Sequence, residues 1–98
     1  MIIDKEYLSQ LSHFYAIAKG WKTGIFGDWE TAEKFVSGFS SPIHKGHKKS
    51  RDAVNFLLEE LLIRVEKEQL KPEELETLDS CKKLVDRWKR ETEAESLI

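Results

Sequence analysis

The sequence predicts an α+β fold, with a three-stranded antiparallel sheet and two helices packed on one face of it. Two strand-like runs flank a glycine turn early in the chain, which is typical of a β-hairpin. Apolar residues recur at helical spacing in the second half. We expect one further helix at each end of the chain.

Capping residues set the element boundaries in the first half. The predicted elements are a helix over residues 4–12, strands over 13–19 and 22–27, a helix over 29–37 and a third strand over 43–47. Asp4 and Asp28 are placed to cap the two helices. Gly38 suits the left-handed backbone that ends many helices.

Two amphipathic helices are predicted in the second half, over residues 51–68 and from Pro72 to Trp88. Ser50 is the expected cap of the first. Their apolar positions are Val54, Leu57, Leu58, Leu61, Leu62 and Val65, then Leu75, Leu78, Cys81 or Lys82, Val85 and Trp88. We expect the charged tail after Trp88 to fray. The pair should form a helical hairpin over 51–90 or a dimer surface, and the sequence leaves both open.

Composition describes one small globular unit. The 98 residues divide into a helical extension over 1–12, a central domain over 13–66 and a C-terminal helical extension over 67–98. No apolar run approaches the roughly 18 residues of a membrane span, and the first residues lack a signal-peptide layout. A single cysteine, Cys81, lies on an apolar stripe as a buried filler and suits the reducing cytoplasm, where we place the protein.

Charge is distributed unevenly along the chain. Residues 1–51 carry eight Lys or Arg against five acids, whereas residues 52–98 carry eight against thirteen. A basic half of this kind indicates a polyanionic partner, although ordinary surface scatter also explains it.

Aromatic residues and lysines alternate over residues 14–29. Such a surface can stack on sugars and neutralise phosphates. Composition alone favours Tyr15 and Trp29 as core aromatics. Trp21 is either an accessory stacking residue or a cover for a strand end, and Trp88 belongs to the helix seam.

One set of residues carries a family resemblance: Phe14-Tyr15-Ala16-Ile17, Gly20, Lys22-Thr23-Gly24-Ile25-Phe26, Trp29, Val36, Gly38-Phe39, Lys45, Ala53 and Phe56. By this pattern residues 14–56 resemble the N-terminal hybrid-binding domain of type 1 ribonucleases H, which is shared with the caulimovirus viroplasmin proteins. The resemblance implies a three-stranded sheet with two helices that binds RNA/DNA hybrid and, more weakly, double-stranded RNA.

The resemblance also implies a binding site. Tyr15 and Trp29 would lie at a DNA-strand phosphate, with Trp29 packed on a deoxyribose. Lys45 would supply phosphate charge, and the backbone of residues 38–41 would reach 2′-hydroxyls in the minor groove. The candidate nucleic-acid-binding residues are Tyr15, Lys22, Trp29, Gly38, Ser40, Ser41, His44, Lys45, Lys48 and Lys49.

Two departures from the family pattern predict weaker binding or a shifted ligand preference. The family commonly has an aromatic residue and two lysines on the third strand, where this chain has His44, Lys45 and Gly46. Two lysines downstream, Lys48 and Lys49, can substitute. Asp28 replaces a small hydroxyl residue and opposes anion binding.

No catalytic group or cofactor site is predicted. The acids after residue 58 have the spacing of solvated helix faces, and no nucleophile–base pair or phosphate-cradling loop appears. His44 and His47 should point to opposite faces of their strand, which disfavours a metal site. We expect a free-standing, non-catalytic module for RNA/DNA hybrid or double-stranded RNA. The alternative is a protein-interaction or homodimerisation module that uses helices 51–90.

Overall fold

The computed structural model describes residues 1–96 and has the predicted α+β class. Its elements are α1 (Lys5–Ser9), β1 (Phe14–Lys19), β2 (Gly24–Phe26), α2 (Trp29–Lys34), β3 (Ile43–His47), α3 (Ser50–Lys67) and α4 (Pro72–Ser96). The predicted order of helices and strands is confirmed. No helix in the described range is long and apolar enough to cross a membrane.

β1 is the central strand of the sheet, whose order is β2-β1-β3 with both pairings antiparallel. Tyr15 pairs with Phe26 on one side and Gly46 on the other, while Ala16 pairs with Ile25 and Lys45. Because side chains alternate along a strand, Tyr15 and Ala16 point to opposite faces.

The main core lies between one face of β1 and helices α3 and α4. Ala16 and Ala18 of β1 are fully buried there against Leu57 and Leu61 of α3. The remaining buried members of this core are Ile3, Leu8, Phe14, Ile25, Ala53, Val54, Leu70, Leu78, Cys81 and Leu84. The small alanine side chains let α3 approach the sheet closely.

A second, smaller core lies on the opposite face. Ile17 and Phe26 pack there with Ala32 and Val36 of the α2 segment. The structure therefore differs from the expectation in one detail, since α2 and α3 contact opposite faces of the sheet. The run Ala16-Ile17-Ala18 is apolar on both faces and needs cover on both.

Two of the predicted helix caps are confirmed. The side chains of Asp4 and Asp28 accept hydrogen bonds from the backbone N–H groups of Tyr7 and Thr31, both at 2.8 Å. The predicted cap at Ser50 is wrong, because Ser50 is already helical and the N-cap is Lys49, which makes no side-chain cap bond.

Other element ends also shift. α2 ends at Lys34 with Phe35 as its C-cap instead of reaching residue 37, because the chain turns early toward Gly38. β2 is shorter than residues 22–27. α4 continues past Trp88 to Ser96, so the expected fraying from Trp88 is not what the structure shows. The end of that predicted tail, residues 97–98, lies outside the described residues.

Helices α3 and α4 pack against each other as a hairpin, one of the two arrangements left open by the sequence. Cys81 faces the seam while Lys82 is exposed. Leu75 was placed on the seam wrongly, since 45% of it is exposed. Burial raises the pKa of the Cys81 thiol to about 12, which fits an inert buried residue.

A buried guanidinium connects three elements. Arg64 of α3 donates to the carbonyl oxygen of Ala18 at 2.6 Å and forms ion pairs with Glu74 of α4 and Glu68. Desolvation alone would lower the pKa of Arg64, but the hydrogen bonds to the two carboxylates outweigh it and raise the pKa. The end of β1 is thereby fixed to the helical hairpin.

Candidate nucleic-acid interface

Three rings from three elements form an aromatic cluster on the sheet face that α2 only partly covers. The Trp29 ring lies between Tyr15 of β1 and His44 of β3, with centroid distances of 5.8 and 5.7 Å. Trp29 is the first residue of α2, so the Asp28 cap fixes its position. Trp29 is 43% exposed. The cluster is therefore ordered by its own contacts and open to a ligand.

Gly46 leaves a depression beside the cluster. A Cβ atom at this position would lie 3.2 Å from the Tyr15 ring. The depression has a volume of about 190 Å³ and is lined by His13, Tyr15, Gly46, His47 and Lys48. Sequence reasoning missed His13. The period-two alternation of residues 13, 15 and 17 in the predicted strand over 13–19 was the signal that could have identified it.

The candidate lysines separate into different positions. Lys48 lines the depression beside Tyr15. Lys45 pairs with Ala16 and so leaves β3 on the face opposite His44 and the aromatic cluster. Lys22 lies at the far end of α2, with its Nζ 5.6 Å from the centroid of the Phe35 ring. Lys49 is the N-cap residue of α3. The structure thus brings only Lys48 against Tyr15.

The loop before β3 has two residues with left-handed backbone. Gly38 has a φ of 72° and Ser41 a φ of 53°, and Ser40 between them is exposed. Glycine adopts this conformation freely, whereas a residue with a Cβ loses roughly 1–2 kcal/mol. The result is an exposed turn of small residues whose backbone groups a ligand can approach closely.

Asp28 places a negative charge next to Trp29. Its carboxylate accepts from the N–H of Thr31 at 2.8 Å and from the Thr31 hydroxyl at 3.0 Å. The backbone hydrogen bond from Thr31, followed by the hydroxyl bond, lowers the pKa of Asp28. The carboxylate remains ionised at neutral pH and repels a nearby phosphate.

The two strand histidines diverge as predicted. The His44 ring contacts Trp29, while the His47 ring lies 5.4 Å from the ring of Phe56 on α3. Among residues 1–96, no group of three or more His, Cys, Asp or Glu could hold a metal ion.

Comparison with known protein families gives a match for this region. Residues 13–57 match the family described as the ribonuclease H1 N-terminal domain. The match begins just before β1 and ends within α3, so it contains the whole sheet, α2 and the aromatic cluster. No curated protein and no solved structure matched the chain. The resemblance inferred from the sequence is confirmed by this match of residues 13–57 to the ribonuclease H1 N-terminal domain family.

Proposed function

We propose that the chain binds RNA/DNA hybrid, or double-stranded RNA, through the aromatic cluster and the loop over residues 38–41. The observation that carries this proposal is the Trp29 ring, which is fixed between Tyr15 and His44 yet almost half exposed. A core tryptophan would be buried. Membership of residues 13–57 in the ribonuclease H1 N-terminal family suggests nucleic-acid binding independently.

In this proposal the two strands of the hybrid meet different parts of the surface. Trp29 packs on a deoxyribose of the DNA strand, where a ribose hydroxyl would obstruct it, and Tyr15 lies at the adjacent phosphate. The small residues Gly38, Ser40 and Ser41 let backbone groups reach the 2′-hydroxyls of the RNA strand. Neither contact reads base edges, so recognition depends on strand type and duplex shape.

The charge arrangement supports weak binding. Gly46 provides no cation beside Tyr15, Lys45 lies on the other face, and Asp28 is ionised next to Trp29. Lys48 lines the depression beside Tyr15. Each missing phosphate contact removes about one released counterion and its share of affinity. We further propose that the domain acts without cleaving its ligand, and that it works in a reducing cytoplasm suited to the free thiol of Cys81.

A titration with three duplexes tests this function. We expect a short hybrid at low salt to shift the backbone amide resonances of residues 15, 29, 38–41 and 44, with RNA duplex weaker and DNA duplex weakest. Trp29→Ala should lower hybrid affinity by about 5- to 150-fold, since one stacked ring contributes about 1–3 kcal/mol. Leu75→Ala, an exposed change on α4, is the control. Unmoved amides at millimolar hybrid would exclude the proposal.

Exposed apolar residues on the helical hairpin favour a second candidate, a protein-interaction or dimerisation surface. Leu62, Ile63 and Val65 of α3 and Leu75 of α4 are all large and exposed. Light scattering across concentration tests self-association. A dimer that Leu62→Glu dissociates would support this candidate, and a monomer at millimolar concentration would exclude the dimer.

A further inference from the structure

Trp21 is a second exposed tryptophan, and it is fixed in place. Its backbone N–H donates to the carbonyl of Phe35 at 2.7 Å, and its indole Nε1–H donates to the carbonyl of Ser37 at 2.8 Å. The edge-to-face contact with Phe39 has a centroid distance of 5.0 Å. Nevertheless 61% of Trp21 is exposed. Holding a large ring rigid in water is unfavourable, whereas a rigid ring is well suited to stacking.

Trp21 borders a groove with a volume of about 640 Å³. Its walls include Trp21, Lys22, Phe35, Phe39, Arg64 and Lys71. That volume is in the range of roughly 300–1,000 Å³ typical of small-ligand sites, which also combine aromatic walls with a few polar groups. A single nucleotide fits both the size and the composition.

The charges of the groove favour an anion. Arg64 is paired both with Glu74 and with Glu68, which does not line the groove, so its guanidinium offers no free positive charge. Lys22 and Lys71 make no ion pair with any residue that the structure describes, and Lys22 lies against the Phe35 ring. One exposed carboxylate, Glu73, opposes these two lysines. The unpaired side-chain charge is therefore positive on balance.

The groove and the aromatic cluster lie at opposite ends of α2. Trp29 begins α2, while Phe35, the C-cap of the same helix, lies in the groove. Six helical residues span about 9 Å, which is roughly three base steps of 3.4 Å along a strand. Ser37, which anchors Trp21, lies next to the loop over residues 38–41.

We propose that this groove takes an unpaired nucleotide from a single-stranded end of the bound duplex. The base stacks on the open face of Trp21, and its phosphate lies near Lys22 and Lys71. This inference rests on the proposed function, because the duplex itself is held at Trp29. It adds a preference for duplexes with a single-stranded extension.

The test compares a blunt RNA/DNA hybrid with the same hybrid carrying a short oligothymidine overhang. We expect the overhang to raise affinity about tenfold, within the range for one stacked base, and to shift the indole Nε1–H resonance of Trp21. Trp21→Ala should abolish this gain and leave affinity for the blunt hybrid unchanged. Lys22→Gln should lower the salt dependence of the gain, whereas Lys82→Gln, an exposed lysine on α4, should not.

The outcomes separate this inference from the function on which it rests. A blunt hybrid that binds while the overhang adds nothing would overturn the inference and leave the proposed function intact. If the blunt hybrid does not bind, the proposed function fails. Titration with free oligothymidine then tests the groove alone: a shift of the Trp21 indole resonance would support nucleotide binding there, and an unmoved resonance would exclude it. If Trp21→Ala unfolds, Trp21→Phe, which has a smaller ring and no indole N–H, tests the gain in a folded chain. A reduced gain would support the inference, and an undiminished gain would overturn it.

Discussion

The two faces of β1 differ in how completely they are covered. On one face, Ala16 and Ala18 are fully buried beneath α3, which has 18 residues and spans about 27 Å. On the other face, α2 has 6 residues and spans about 9 Å, so it covers Ile17 but leaves Tyr15 partly open. We call these the closed face and the open face.

The two faces separate residues that pack the core from residues that we propose contact nucleic acid. Every buried position of the closed face is filled by protein atoms, so its residue types follow from volume and hydrophobicity. On the open face, the rings of Tyr15, Trp29 and His44 lie at the uncovered end of the sheet, and each covers only part of its neighbour's surface. A change on the closed face should therefore affect folding, and a change on the open face should affect binding.

The largest expected effect is on the closed face. Leu57→Ala removes a fully buried side chain that packs in the main core with the alanines of β1. We expect the free energy of unfolding to fall by about 3 kcal/mol, from lost hydrophobic burial and the cavity left behind. Urea denaturation measures it. Leu62→Ala on the exposed side of α3 is the control, with a change within about 0.5 kcal/mol. Similar losses in the two variants would contradict the distinction.

The ion pair that fastens β1 to the hairpin gives the next effect. Arg64→Met leaves the Glu74 carboxylate buried and unpaired, and leaves the Ala18 carbonyl without its donor. We expect a loss of about 2–3 kcal/mol in unfolding free energy. Adding Glu74→Met should recover much of it, because the double variant buries no lone charge. A double variant as unstable as Arg64→Met would show that the hydrogen bond to Ala18 dominates instead.

On the open face, Gly46→Lys should strengthen binding. The new side chain would enter the depression beside Tyr15, whose ring must move by a few tenths of an ångström. We expect hybrid affinity to rise several-fold at low salt, and the salt slope to steepen by about one counterion. Gly46→Gln is the matched control, with similar size and no charge. Equal gains from the two variants would assign the effect to packing rather than to charge.

The sequence predicted most of the closed face and less of the open one. Helical spacing identified Val54, Leu57 and Leu61, because a long buried helix repeats its pattern several times. The face on which Lys45 lies was harder to predict. A shift of one residue in the strand register moves a side chain to the other face, and the pairing of Lys45 with Ala16 fixes that register.

The same limit applies to short helices and isolated rings. α2 has too few turns for a pattern, so neither its length nor its face was evident from the sequence. The sequence did not decide whether Trp21 covers a strand end or serves as an accessory stacking residue. In the structure Trp21 is both anchored at the strand end and exposed. Its contacts with Ser37 and Phe39 show this, and the sequence does not predict them.

The smallest expected effect is a pH dependence at the edge between the two faces. His47 leaves β3 on the closed-face side, where its Nδ1 atom is buried without a hydrogen-bond partner and its ring packs on Phe56. Desolvation, followed by the charge of Lys45, lowers the pKa of His47. The charge of Asp52 and the nearby backbone groups of Lys45 and Phe14 oppose this lowering only in part. The folded state therefore prefers the neutral imidazole.

The sign follows from proton linkage. Between the lowered folded pKa and about 6.5, the usual value for an unfolded chain, the unfolded state binds more protons, so the free energy of unfolding should rise with pH. The stabilising effect is complete above that window and lost as pH falls through it. His47→Phe should flatten this part of the profile, because a phenyl ring packs on Phe56 with no buried nitrogen to protonate. His13→Gln, an exposed histidine, should retain the slope. If His47→Phe kept the full slope, the burial of His47 would not be the source of the pH dependence.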